Sequence, residues 1–158
     1  IAKWLRLQDV QTLPSAGTVP YLSGFQFAEG AAFSERFKVA VTVSQPQDNM
    51  ITVGIDAFVP VINVAAPAGT ISMELIIAVA GCTLATGAPT ASETQHLKIP
   101  YNKNKVAAQA LQFNIPTTSG CLIVTAAWLQ YYVLKNSLVS RTEKAAFIPA
   151  GVINARYS

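Results

Sequence analysis

The side chains most able to do chemistry in this chain are few and widely spaced. His96 is the only histidine, so a cage of imidazoles around a metal is excluded, and a Ser-His-Asp relay would have to be built on this one ring. The Gly-x-Ser-x-Gly turn that exposes a nucleophilic serine does not occur. His96 alternates with Leu97 and precedes Lys98, which places it on the polar face of a strand. Asp56 and Glu74 are the acidic residues nearest to apolar runs, and a pair of carboxylates is what glycoside hydrolysis needs. One closes a strand and the other starts one, so both are expected at solvated strand ends. The sequence has no calcium loop of the Asp-x-Asp-x-Asp-Gly type and no glycine-rich phosphate loop. These readings point away from an enzyme and call for no metal or other cofactor.

Two further groups have a chemical and a structural reading. Tyr101, Asn102, Lys103, Asn104 and Lys105 make a loop whose composition suits phosphate or sugar hydroxyls, and it also suits an ordinary long turn in which Asn tolerates left-handed dihedrals. Cys82 and Cys121 each lie in an apolar stretch, as a buried bridge between two strands or as two small core residues. Aromatic residues are not interleaved with basic ones, the eleven Lys and Arg form no run, and the net charge is only +3. Nothing here demands a specific nucleic-acid partner.

The composition is unusual: 51% of residues are hydrophobic and 12% are charged, against about 25% charged in ordinary soluble domains. The longest apolar stretch, Leu75 to Cys82, is broken by Gly81 and falls far short of the roughly 20 residues of a spanning helix. With no transmembrane segment to absorb it, the excess apolar surface is expected to meet other protein.

The elements that position these residues read mostly as strands. Phe37, Val39, Val41 and Val43 alternate with smaller or polar residues, Gln45 to Asn49 turns the chain, and Ile51, Val53 and Ile55 alternate again, a hairpin pattern. Phe58 to Val64 reads as a short strand whose Pro60 suggests an edge or a bulge. Ile71 to Leu84 is a long apolar strand, Thr86 to Ser92 a loop, and Leu97 with Ile99 a further strand. Val106 to Ile115, Cys121 to Val133 and a short piece within Phe147 to Ala155 complete the set, and Ala31 to Phe37 has room for one helical turn. The fold class expected is all-β, an immunoglobulin-like antiparallel sandwich of roughly seven to nine strands. Residues 1–24 read as an N-terminal segment, a helix end plus a linker, and 25–158 as the sandwich. Ile1, Trp4, Leu5 and Gln8 have helical spacing with no capping residue before them, so Ile1 is expected to lie inside a longer helix.

Trp128 and Tyr132 share one face of their strand while Leu129 and Tyr131 share the other, so both faces are bulky. A strand apolar on both sides is covered on both sides. Ile1, Trp4, Leu5, Leu7, Trp128, Tyr131 and Tyr132 are therefore the candidate assembly interface.

Several short stretches resemble a family of functionally uncharacterised Bacteroidota proteins. They are Leu22-Ser23-Gly24-Phe25-Gln26-Phe27, Ala66-Pro67-Ala68-Gly69-Thr70, Pro116-Thr117-Thr118-Ser119-Gly120, Leu129-Gln130-Tyr131-Tyr132 followed by Leu134-Lys135-Asn136, and Ala146-Phe147. The resemblance implies a bacterial source and a helical N-terminal region before a β-sandwich, and it carries no activity, cofactor or catalytic residue. The charged stretch Ser140 to Lys144 departs from the family's pattern and leaves the pairing of the last strand open.

The expected function is a non-enzymatic structural subunit, a homo-oligomer joined through apolar strand faces or a shared strand, in a surface filament or similar assembly outside the cell or on its surface. The alternative is a binding module that grips a glycan or a protein with sandwich-end loops such as Thr86 to Ser92 and Tyr101 to Lys105.

Overall fold

The computed structural model describes residues 22–27, 31–47, 49–116, 119–142 and 148–157. In chain order these form α1 (Phe33–Arg36), β1 (Val41–Gln47), β2 (Met50–Ile55), α2 (Pro60–Asn63), β3 (Thr70–Thr83), β4 (Pro89–Pro100), β5 (Gln109–Asn114), β6 (Cys121–Lys135), β7 (Leu138–Arg141) and β8 (Ala150–Tyr157). The strands make two antiparallel sheets, one ordered β1-β2-β5 and the other β4-β3-β6, with β7 and β8 both against the far side of β6. The expected all-β sandwich is what the chain forms.

The long strands β3 and β6 lie at the centre of the larger sheet, paired from Thr70↔Val133 to Thr83↔Cys121. Their alternate residues Met73, Leu75, Ile77 and Val79 on β3, and Ile123, Ala127, Leu129 and Tyr131 on β6, face the smaller sheet's Ile51, Val53, Ile55 and Phe113. Period-two alternation puts one set of side chains from each strand into this shared core. Phe37 joins the end of the core, its ring 5.4 Å from that of Phe33 and 5.5 Å from that of Phe58.

Two departures from the sequence expectation have clear causes. Phe58 to Val64 is not a strand: Pro60 takes the first position of the helical turn α2, where its missing N–H costs nothing. Asn63 Oδ1 accepts a hydrogen bond from Val59 N at 2.9 Å and ties the turn. Tyr131 and Tyr101 then fasten the following segment, their hydroxyls donating to Ala65 O and Val64 O, each at 2.9 Å. The expected Thr86 to Ser92 loop is shorter than its composition suggests, because β4 already starts at Pro89.

The flank between β4 and β5 is closed by side chains rather than by a ladder. Glu93 Oε2 accepts from Asn114 N at 2.9 Å, and Gln95 Nε2 donates to Gln112 O, so two outward-facing peptide groups of β5 are already satisfied. Across the molecule the segment Leu22 to Phe27 pairs with β8: Gly24 N donates to Val152 O, Val152 N to Phe25 O and Phe27 N to Ala150 O, all within 2.9 Å. Leu22 and Phe25 then pack with Leu122, Val124, Val152 and Ala155 on the outer face of the larger sheet. Leu22 to Gly24, expected in the linker, are thus part of the sandwich. Among the described residues no helix is long and apolar enough to cross a membrane.

Candidate functional site

The outer face of the larger sheet gathers most of the chemistry. Glu74 sits in mid-β3, directly between Lys98 on β4 and Gln130 on β6, and Ile76 lies between His96 and Trp128. Glu74 is not at a solvated strand end, as its place before an apolar run suggested. It is only 7% exposed, and both carboxylate oxygens are engaged, Oε1 with His96 Nδ1 at 3.2 Å and Oε2 with the Tyr132 hydroxyl at 3.1 Å. Asp56, by contrast, is exposed just past the end of β2, as expected.

Burial of the Tyr132 phenol, then its hydrogen bond to Glu74 and the Glu74 charge, push its pKa up against the opposing pull of Arg141. The phenol therefore stays a donor to Glu74. His96 remains half exposed, and its engagement through Nδ1 turns Nε2 away from Glu74. This is an oriented imidazole, and among the described residues no serine, threonine or cysteine side chain is bonded to it. Gln130 closes the cluster by donating to Thr142 O at 3.0 Å.

The other candidates are scattered. Tyr131 is not an interface residue: its register partner is Met73, it points into the core and it is 0% exposed. Trp128 and Tyr132 occupy the outer face and are half-buried. Ile1, Trp4, Leu5 and Leu7 lie outside the described residues. Within the 101–105 loop, Tyr101 is a half-buried anchor and Asn102 Oδ1 accepts from Asn104 N at 2.9 Å in a local turn, which leaves Lys103 and Lys105 exposed. Cys82 and Cys121 are both thiols. Cys82 is opposite Leu122 and Cys121 opposite Thr83, so the two side chains leave opposite faces of the sheet and a bridge would need the backbone to move. Burial and then the neighbouring Cys121 push the Cys82 thiol pKa up. Among the described residues no group of three His, Cys, Asp or Glu could hold a metal ion.

Two surfaces were not anticipated. The first is an arm. Past Tyr132 the end of β6 turns through Asn136 (φ 51°) and Ser137 (φ 63°), the two left-handed residues of a tight hairpin, and returns as β7. All four residues of β7 are exposed, Leu138 at 73% and Val139 at 58%, and Leu134 opposite on β6 is 51% exposed. Leu134 and Val139 are register partners on one face of this ribbon, and Leu138 is on the other.

The second is a cleft of about 290 Å³ on the flank opposite the β4–β5 closure, between the start of β1 and β8. Phe33, Phe37, Val39 and Val41 line it from one side and Gly151 to Ile153 from the other. Gln26 spans its end, accepting from Phe33 N at 2.7 Å and donating to Gly24 O at 2.9 Å. Further along β8, Arg156 Nε and Nη2 are enclosed without a hydrogen-bond partner among the described residues, and burial lowers its pKa.

No protein-family model, curated protein or solved structure matches the chain.

Proposed function

We propose that this chain is a non-enzymatic structural subunit, an immunoglobulin-like sandwich that self-associates into an assembly outside the cell or on its surface. The observation that carries the reading is the β6–β7 arm. Scattered exposed leucines are ordinary on any protein, but here three large aliphatic side chains, each more than half exposed, crowd one four-residue strand and its partner. Complete burial of such a side chain contributes about 1.5–3 kcal/mol, so the part still exposed amounts to about 1–2 kcal/mol each. The arm offers roughly 3–6 kcal/mol, against an association cost of about 4–15 kcal/mol. Apolar burial alone gives weak association, and backbone pairing at an open strand edge supplies what is lacking.

Sedimentation velocity over a concentration series tests this. The wild type is expected to sediment as more than one species, and Leu138→Asp with Val139→Asp to weaken association at least tenfold without changing the circular dichroism spectrum. A wild type that is monomeric at every concentration refutes the reading.

A second reading, a module for glycan or protein ligands, is supported by one local feature: Lys103 and Lys105 are exposed in the loop hydrogen-bonded to α2, whose Ile62 is 73% exposed. It predicts that Lys103→Ala with Lys105→Ala abolishes capture on a glycan array while leaving mass in solution unchanged.

A further inference from the structure

We propose that one end of the sandwich rests on an anionic lipid bilayer, with the tip of α2 in the headgroup layer and the lysines around it on the lipid phosphates. The inference goes beyond the self-association reading and stands without it.

A chain of backbone hydrogen bonds defines that end. Lys38 N donates to Asn63 O at 2.8 Å, Val61 N to Asn102 O at 3.4 Å, Tyr101 N to Ile71 O at 2.9 Å and Leu134 N to Gly69 O at 3.0 Å. The approach to β1, α2, the 101–105 loop, the start of β3 and the β6–β7 hairpin are therefore neighbours. Large exposed aliphatic residues collect here: Ile62, Val61 and Ile71, and beyond them Leu134, Leu138 and Val139. Phe27 and Tyr157 are the other large hydrophobic residues exposed among the described ones, and they lie elsewhere, beside Ala150 and opposite Leu122.

Charge is segregated in the same way. Lys38, Lys103, Lys105 and Lys135 are all exposed on these segments, and among the described residues none of them has a carboxylate partner. The exposed carboxylates nearest to these segments in the chain are Asp56 and Glu35, so cations prevail. The opposite end, at the β1–β2 and β3–β4 turns and the start of β6, has no lysine among its described residues. Lysines without counter-charges suit an anionic surface, where each strengthens binding by about fivefold.

The mixture of side chains selects lipid over protein. The buried centre of a protein interface favours aromatic residues, Met and Arg and is depleted in Lys. Here aliphatic residues are set among lysines, while Phe58 and Tyr101 on the same segments are buried and half-buried, the latter tied to Val64 O. The aliphatic residues also stand on separate turns, α2 and the hairpin. A fluid headgroup layer receives separate turns without a matching shape, and a lysine lays its stem along the apolar boundary while its ammonium stays with the phosphates. A contact of this size lies on a bilayer and does not cross it.

Flotation with extruded vesicles tests this, since lipid-free assemblies stay at the bottom of the gradient. The wild type is expected to float with phosphatidylcholine vesicles that contain phosphatidylglycerol, to stay down with phosphatidylcholine alone, and to be released as salt screens the charges. Lys103→Ala with Lys105→Ala is expected to weaken partitioning by about 30-fold, Ile62→Asp by about tenfold or more, and Tyr157→Ser at the opposite end not at all; thermal melts confirm that each is folded. A glycan ligand would use the lysines and leave Ile62 idle, so Ile62→Asp separates that case from lipid. A wild type that never floats, equal flotation with neutral vesicles, a lysine or Ile62 variant that floats like the wild type, or a loss as large in Tyr157→Ser overturns the inference. Retention on an immobilised acidic peptide without flotation also overturns it and gives the surface to a protein partner. Sedimentation velocity without lipid reads self-association separately: a monomer that floats refutes only that reading, and an oligomer that stays down refutes only this one.

Discussion

Tyr131→Phe removes one oxygen and nothing else. The ring is fully buried on the inner face of β6, and its hydroxyl donates to Ala65 O at 2.9 Å. Two costs compete. If the abandoned carbonyl were sealed from water, the loss would be about 1–3 kcal/mol. Ala65 is itself exposed, so water can replace the hydroxyl and the loss falls to that of an ordinary net hydrogen bond, about 1 kcal/mol. Tyr131→Ala also opens a hole beside Met73 and should cost about 3–5 kcal/mol. For a chain of this size each kcal/mol lowers Tm by about 2–4 °C.

Alkaline pH gives an independent measure of the same hydroxyl. Burial raises the Tyr131 pKa above its ordinary value of 10.0, with Arg36 opposing and Tyr101 adding a little. The folded protein then holds the phenolic proton more tightly than the unfolded chain. Stability should be unaffected well below pH 10 and should fall as pH rises past the unfolded pKa. In Tyr131→Phe that decline should be shallower. Urea titrations at neutral and alkaline pH, with sedimentation on the same samples, decide the matter. An unchanged denaturation midpoint together with weakened association would place Tyr131 against a neighbouring molecule, and the β6 register would have to be wrong.

Other substitutions probe the outer face and the flank. Glu74→Ala removes the charged acceptor of the half-buried Tyr132 hydroxyl and should cost about 1–3 kcal/mol. His96→Ala, at an exposed position, should cost less than about 1 kcal/mol. A double-mutant cycle of Glu74→Ala with Tyr132→Phe should return a coupling of about 0.5–3 kcal/mol, and additivity would deny the contact. Arg156→Met relieves two enclosed donors and should leave stability unchanged or raise it by about 1 kcal/mol in urea; a clear loss would mean that the guanidinium has a partner.

Alternation of side chains was enough to find the β1–β2 hairpin, because only one face of each strand is buried and a period of two names that face. It was not enough for β6, where both faces are bulky. Tyr131 and Tyr132 are neighbours of the same character, and only the pairing with Met73 and Ser72 shows that the first is core and the second outer surface. Pro60 reads equally as a strand edge or a helix start, and the choice was made by the Asn63 side chain and the tyrosine anchors beyond it. The Glu74–His96–Tyr132 cluster joins three strands over long separations. Its legible trace was the β3–β4 register, since pairing Glu74 with Lys98 across the Gly87 turn brings His96 within one step of the carboxylate. β7 carried a weaker signal still: its Ser140 and Arg141 open the charged stretch Ser140 to Lys144, its Leu138 and Val139 fall in no predicted strand, and the Asn136–Ser137 turn is what reveals a returning strand.

The side-chain stitching of Glu93 and Gln95 onto β5 has a consequence for any larger object made from this unit. Two peptide groups of β5 are taken up in this way, so a strand arriving at the β5 edge would find fewer backbone partners there than at an unsutured edge, which disfavours lateral joining through β5. The suture consists of one carboxylate and one amide. Trimming both to alanine would bare a second seam, and lateral clumping of an otherwise intact protein would be its visible sign.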